Sequence, residues 1–250
     1  MNHDSISLYQ HCKFNNANEF INVMKNVYSN KYGFSYNLDE LHLLLDDSTI
    51  NESDKMYFNE IPIIGFNDRD SIFIKDFYNF IDNTSGFKYI YFNFVQSHIK
   101  PFFPNETNLV VQKTPNIRIS FPELTAIGQH RNLSHDDEVI GIHCDSDFGH
   151  SEEEINFIIP ITEMFDTNSI YFEPVLNSTI PYSEYNNLNI SPDHFFIGYF
   201  NKLKHYNKIN KTGKTRISLD FRIIPYSKYM EKLEFFKGTK FEIGNYFTIM

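Results

Sequence analysis

The sequence has no tryptophan and only two cysteines, Cys12 and Cys144. Two thiols cannot form a disulfide framework, so the chain is not a small disulfide scaffold, and a reducing, cytoplasmic setting fits it best. No apolar run reaches the length of a membrane-spanning helix. The opening stretch "MNHDSISLYQHCKFNN" has no charged segment leading into an apolar one, and so does not read as a secretory signal. Positive charge is also in short supply. With 22 Lys and Arg against 32 Asp and Glu, the net charge is −10, which opposes binding to a phosphate backbone and argues against nucleic-acid and membrane partners. The most basic stretch is "NKLKHYNKINKTGKTR" (201–216). Its "GKT" suggests a phosphate loop, but the glycine needed five positions before Gly213 is Lys208, so the template fails. There is no internal repeat, linker or low-complexity tail.

What is abundant is aromatic: 26 Phe and 16 Tyr in 250 residues, enough for a core of rings and isoleucines. The first part reads as helical. Phe20, Val23, Met24, Val27 and Tyr28 recur at helical spacing in 17–29, and "NLDELHLLLDD" (37–47) reads as a second, short helix. A third carries Phe73, Phe77, Phe80 and Ile81 on one face. "FKYIYFNFVQSHI" is rich in β-formers, yet its apolar positions keep the 3.6 period and it is taken as helix. From residue 108 the texture changes. "NLVVQ", "NIRISF", "EVIGIH", "EINFIIPI", "SIYFEPV", "HFFIGYF" and "RISLDFRII" are short β-rich runs separated by turn residues, the pattern of a sandwich or barrel. The expectation is one domain: helical support in 1–107, with a possible lid in 46–62; a β core in 108–226; and a C-terminal extension in 227–250.

The chemistry is concentrated in "GIHCDSDFGH" (141–150). On a strand, His143 and Asp145 face the same way and Cys144 the opposite way, so one imidazole and one carboxylate project together. Two histidines and one carboxylate on one face of iron leave positions open for a cosubstrate and oxygen. His205 is the best third ligand. Eleven residues after it comes Arg216, able to grip a carboxylate with two parallel hydrogen bonds, and then Ser218 on the same strand face. His135 and Asp137 also spell His-x-Asp, but in the turn-like "NLSHDDE".

With these residues in this order, the chain resembles the Fe(II)/2-oxoglutarate-dependent oxygenases. "HCDSDFGHSEEEINFIIPIT" and "HYNKINKTGKTRISLDFRIIP" are most similar to the small-molecule oxygenases of the streptomycin-biosynthesis type. The resemblance covers roughly 108–226. It implies a double-stranded β-helix (jelly-roll, cupin-like) core buttressed by helices, with Fe(II) held by His143, Asp145 and His205. It further implies 2-oxoglutarate on Arg216 with help from Ser218, Asn156 near the cosubstrate or substrate, and O2 as oxidant. The activity implied is hydroxylation of a small polar metabolite, sugar-containing or amino-acid-derived, with release of succinate and CO2. An aspartate at 145, where halogenases of the superfamily carry a small residue, favours hydroxylation, or a related desaturation or cyclisation, over halogenation. Arg118, Gln112, His150 and Tyr171 are candidate substrate contacts. Asp220 and Arg222 share the face of Arg216, and either extend the polar wall or pair with each other. The rival readings are a cupin-like metal-binding protein without oxygenase activity, which has no need of the Arg216–Ser218 clamp, and a zinc hydrolase, which needs a further general base. Oligomeric state is not legible in the sequence.

Overall fold

The structure is a computed structural model, described here for residues 8–46, 71–123 and 140–250. Most of the lid expected in 46–62, and the second His-x-Asp at His135 and Asp137, lie outside the described residues.

Helix α1 (Ala17–Tyr32) buries the five residues its periodicity selects, Phe20, Val23, Met24, Val27 and Tyr28, and stops at Gly33, whose N–H bonds the carbonyl of Ser29. "LDELHLLLD" is helical as expected but wound as a tighter 3-10 helix, Leu38–Asp46. Helix α2 (Ile72–Asn83) buries Phe73, Phe77 and Ile81, with Phe80 only partly covered. Thr84 alone separates it from α3 (Ser85–Phe94). The ambiguous aromatic stretch is therefore helical. Phe87, Tyr91 and Phe94 face inward, and a π-turn at Val95–Ile99 ends it.

Among the described residues, eleven strands form two antiparallel sheets: β1 (Tyr9–Lys13), β2 (Leu109–Gln112), β3 (Asn116–Ser120), β4 (Ile140–His143), β5 (Ile155–Pro160), β6 (Ile170–Phe172), β7 (Asn186–Asn187), β8 (His194–Gly198), β9 (His205–Asn207), β10 (Arg216–Pro225) and β11 (Phe247–Ile249). The larger sheet runs β1-β8-β5-β10-β2-β11. Its long strand β10 pairs along one edge with β5 and along the other first with β3, then with β2. The smaller sheet runs β4-β9-β6-β7. Among the described residues the two do not join into a closed barrel. The chain is thus mostly antiparallel β with helices.

Strand parity divides β10 in two. Ile217, Leu219, Phe221 and Ile223 join one apolar cluster with Phe20, Phe77, Phe87 and Phe94 of the helices. Arg216, Ser218, Asp220 and Arg222 point the other way, toward the smaller sheet. The helices thus cover one face of the large sheet and leave the other to line a cavity. The run after Pro225 packs back on the core. It forms α4 (Tyr226–Glu231), α5 (Leu233–Phe236) and then β11, which pairs with β2. Tyr229, Phe236, Phe241 and Phe247 make a separate small core with Val110 and Ile224.

Strands β1, β7, β9 and β11 lie outside the β-runs read from the sequence. Tyr9–Lys13 pairs with β8, although its residues show neither alternation nor a turn signal. His205, expected between β-runs, lies on β9, a three-residue strand held between β4 and β6.

Candidate metal centre

A cavity of about 580 Å3 lies between the two sheets. His143, Asp145 and His205 meet on its wall, each offering a donor atom within 4.8 Å of the others. The Nε2 atoms of His143 and His205 stand 3.7 and 3.8 Å from Asp145 Oδ1. Neither contact is short enough to be a hydrogen bond, so the three donor atoms lie together without satisfying one another.

Local sequence explains the convergence. Gly141 has φ of 66° and sits where the β4–β9 register shifts between Ile140 and His143. A side chain there would strain the backbone. The carbonyl of Gly141 engages Nδ1 of His143, and the carbonyl of Leu203 engages Nδ1 of His205 at 3.1 Å. With each Nδ1–H donated to a carbonyl, each Nε2 is left as the acceptor, the tautomer that binds a metal. Phe148 packs edge-on against His143, and Phe200 stacks on His205 with ring centroids 4.5 Å apart. Burial lowers the pKa of both histidines, that of His205 to about 4, with His143 adding to the effect; both imidazoles are therefore neutral at pH 7.

Asp145 does not continue the strand, as parity had assumed. Strand β4 ends at His143, and Asp145 opens a 3-10 turn, Asp145–Phe148. The turn is fixed by Asp147, whose carboxylate accepts the N–H of Cys144, and the N–H of Asp145 donates to the carbonyl of Phe200. Cys144 does face away, with its thiol on the carbonyl of Lys202. The pair converges because of that turn, not because of alternation.

The second oxygen of Asp145 is fully engaged. Oδ2 accepts from Arg222 Nε at 3.1 Å, Arg222 Nη2 at 2.7 Å and Asn156 Nδ2 at 2.7 Å. Burial alone would raise the Asp145 pKa, but Arg222 and His205 hold it far below the usual carboxylate range. Asp220 and Arg222 therefore do not pair with each other. Asp220 meets Arg118 at 3.4 Å, and Arg222 belongs to Asp145.

Arg216 is 1% exposed and donates from Nη1 to the neutral amide of Asn207 at 3.0 Å, while its Nε has no partner. Among the described residues no carboxylate forms an ion pair with it. Burial and the nearby Arg118 lower its pKa to about 10, which still leaves it charged at pH 7. A buried cation with spare donors and no counter-ion is costly unless an anion joins it. Ser218, Asn156, Arg118 and His150 also line the cavity. Asn156 does so with its Nδ2 committed to Asp145 and its Oδ1 unpartnered. His150 is anchored through Nδ1 to the buried Glu154. Two expected substrate contacts are placed elsewhere. Gln112 is buried, donating to the carbonyl of Thr114 and accepting the N–H of Arg222. Tyr171 stacks on Tyr206 under Lys208 and is not part of the cavity wall. Sequence reasoning missed Lys240, Phe241, Asn245 and Tyr246, which close the cavity from the C-terminal segment.

No family model matches the chain. The streptomycin biosynthesis protein StrG of Streptomyces griseus is 28% identical over 140 residues, covering 54% of this chain and 58% of that protein. The chain thus spans less than two thirds of the curated relative it matches. Solved structures with partial likeness include the non-heme monooxygenase ThoJ, with 10% identity, TM-score 0.46, and 88% of this chain and 75% of that one covered. AviO1 of Streptomyces viridochromogenes has 11% identity, TM-score 0.44, and 88% and 90% covered. HygX of Streptomyces hygroscopicus, solved with nickel and 2-oxoglutarate, has 10% identity, TM-score 0.31, and 71% and 87% covered. At such scores and identities, shared function does not follow from shared shape.

Proposed function

We propose that this chain is an Fe(II)- and 2-oxoglutarate-dependent oxygenase acting on a small polar metabolite. The observation that carries the reading is the pairing of two features on one cavity wall: three neutral or anionic donors aimed at one point, and a buried guanidinium with no ion-pair partner among the described residues. His143 Nε2, His205 Nε2 and Asp145 Oδ1 would hold the metal. Two imidazoles and a carboxylate suit Fe(II), and three protein ligands leave positions open. Arg216 would bind the distal carboxylate of 2-oxoglutarate with Ser218 beside it. With iron, cosubstrate and O2 in place, the chemistry supplied is oxidation of a substrate C–H bond, coupled to release of succinate and CO2.

The chain's own residues do the positioning. The carbonyls of Gly141 and Leu203 fix the imidazole tautomers, and the rings of Phe148 and Phe200 pack against His143 and His205. Arg216 sets the direction from which the cosubstrate enters. Arg118 and His150 remain candidate substrate contacts on the cavity wall. The double-stranded β-helix is the architecture we assign to the two sheets, with the whole chain acting as one catalytic unit. The likeness to a streptomycin biosynthesis protein supports a sugar-containing or amino-acid-derived natural product as substrate class.

A zinc hydrolase or a cupin-like binding protein could use the same three ligands, but neither accounts for the buried charge of Arg216. The distinguishing experiment is anaerobic addition of Fe(II) and 2-oxoglutarate. A visible metal-to-ligand charge-transfer band is expected in the wild type and none in His205→Ala. Folded, iron-loaded wild type without the band contradicts the oxygenase reading. A succinate-release screen against sugars, amino acids and their nucleotide-linked forms would then identify the substrate.

A further inference from the structure

The geometry points to Arg222 as a positioning residue that keeps Asp145 monodentate, by saturating Oδ2 and leaving Oδ1 alone for the metal. This rests on the reading of His143, Asp145 and His205 as ligands.

A carboxylate beside a divalent cation can bind through one oxygen or both. Bidentate binding by Asp145 would occupy a position that the cosubstrate or oxygen needs. What prevents it is the set of three donors on Oδ2: Nε and Nη2 of Arg222, and Nδ2 of Asn156. All three groups are buried, so water cannot take their place; Asp145 and Arg222 are each 5% exposed. The planar fork of an arginine, with two N–H groups on one oxygen, fixes the rotation of the carboxylate, which a flexible ammonium cannot do.

The fork is itself held in place. Nη1 of Arg222 donates to the Tyr246 hydroxyl at 3.2 Å, and Nε lies 3.6 Å from Oε2 of Glu154, which is 0% exposed. Glu154 is tied in turn to His150 Nδ1 at 2.7 Å and to the N–H of Ser151 at 2.9 Å. The guanidinium therefore sits between two carboxylates with a tyrosine at its tip. Tyr246 comes from the C-terminal segment, so that segment reaches the metal ligand through two hydrogen-bonded contacts. Replacing groups that orient metal ligands in this way typically costs about 10- to 100-fold in metal affinity.

The test uses Co(II) alone with metal-free full-length protein, and needs neither 2-oxoglutarate nor turnover. The visible absorption of bound Co(II) reports coordination number and geometry. In Arg222→Gln the fork and the charge are gone; in Arg222→Lys the charge stays and the fork is lost. Both are expected to bind Co(II) about 10- to 100-fold more weakly than wild type, with an altered visible spectrum, thermal melts confirming a folded chain. Wild-type affinity and spectrum in either folded variant would overturn the proposal. If Arg222→Gln does not fold, Arg222→Lys decides on the same criteria. Wild-type protein that takes up no Co(II) would overturn the metal-centre reading and this proposal with it, whereas wild type that binds normally beside unchanged variants would overturn this proposal alone.

Discussion

Arg216 separates the cosubstrate question from the metal question. It touches none of the three ligands, so Arg216→Ala should leave Co(II) affinity unchanged. A charge-assisted hydrogen bond to an anion contributes about 1.5–3 kcal/mol. The dissociation constant for 2-oxoglutarate should therefore rise roughly 10- to 100-fold. Isothermal titration of the metal-loaded protein measures both, and unchanged 2-oxoglutarate binding would move the clamp to Arg118. The histidines carry a pH signature of their own. In the folded metal-free chain the pKa of His205 is about 4, below its ordinary 6.5, and that of His143 is shifted the same way. Between those values the unfolded chain binds more protons than the folded one, so stability rises with pH there. Metal-free protein should lose stability as pH falls from 6.5 toward 4. Asp145, shifted below its ordinary value, adds a further loss as pH falls below about 4. Urea unfolding at stepped pH checks this, and His205→Gln should flatten the upper part of the slope.

At the scale of the element, the strands around the centre are short and closely fitted. On β8, Gly198 lies on the same face as Phe196, and a Cβ added to it would stand 2.4 Å from the Phe196 ring. That ring is fully buried, stacked on Phe200 and edge-on to Phe172, so it has nowhere to move. Gly198→Ala should cost roughly 1–3 kcal/mol of stability, read by chemical denaturation. A neutral result would mean that β8 yields more than its packing indicates. Strand β10 was the most legible element. Its alternation of Arg, Ser, Asp and Arg with Ile, Leu, Phe and Ile can be read directly, and the structure places one set in the cavity and the other against the helices. The helices of the first hundred residues were equally legible, because an apolar stripe at a 3.6 period has few alternative structures. Asp145 was not. Whether a chain leaves its strand after one more residue depends on the register slip at Gly141 and on the Phe200 carbonyl, neither of which is a local signal.

Across the whole molecule, charge is distributed against the average. The chain carries −10, yet Arg118, Arg216, Arg222 and Lys240 line one cavity with Asp145 and Asp220 as the acids among its wall residues. An acidic exterior with a cationic cavity disfavours polyanions outside and favours a small anion within. The C-terminal segment belongs to this arrangement, because the small core around Phe247 holds Phe241 and Tyr246 over the cavity. Phe247→Ala should cost about 3–5 kcal/mol in denaturant unfolding. It should also weaken 2-oxoglutarate binding, although Phe247 does not line the cavity. Loss of stability with unchanged binding would show that the segment closes the cavity without help from that core.

The sequence by itself determined the helices of the first hundred residues, the positions of most strands, the order His, Asp, His, Arg, and the division of β10 into an apolar and a polar face. These follow from periodicity and residue chemistry over short distances, where chain geometry leaves little freedom. Only the tertiary structure decided that Arg222 serves Asp145 while Arg216 meets no carboxylate in an ion pair among the described residues. The two arginines lie on the same face of the same strand and cannot be told apart by parity. They differ in what the opposite sheet brings to each: the turn after β4 sets a carboxylate on Arg222, and β9 sets only the neutral amide of Asn207 on Arg216.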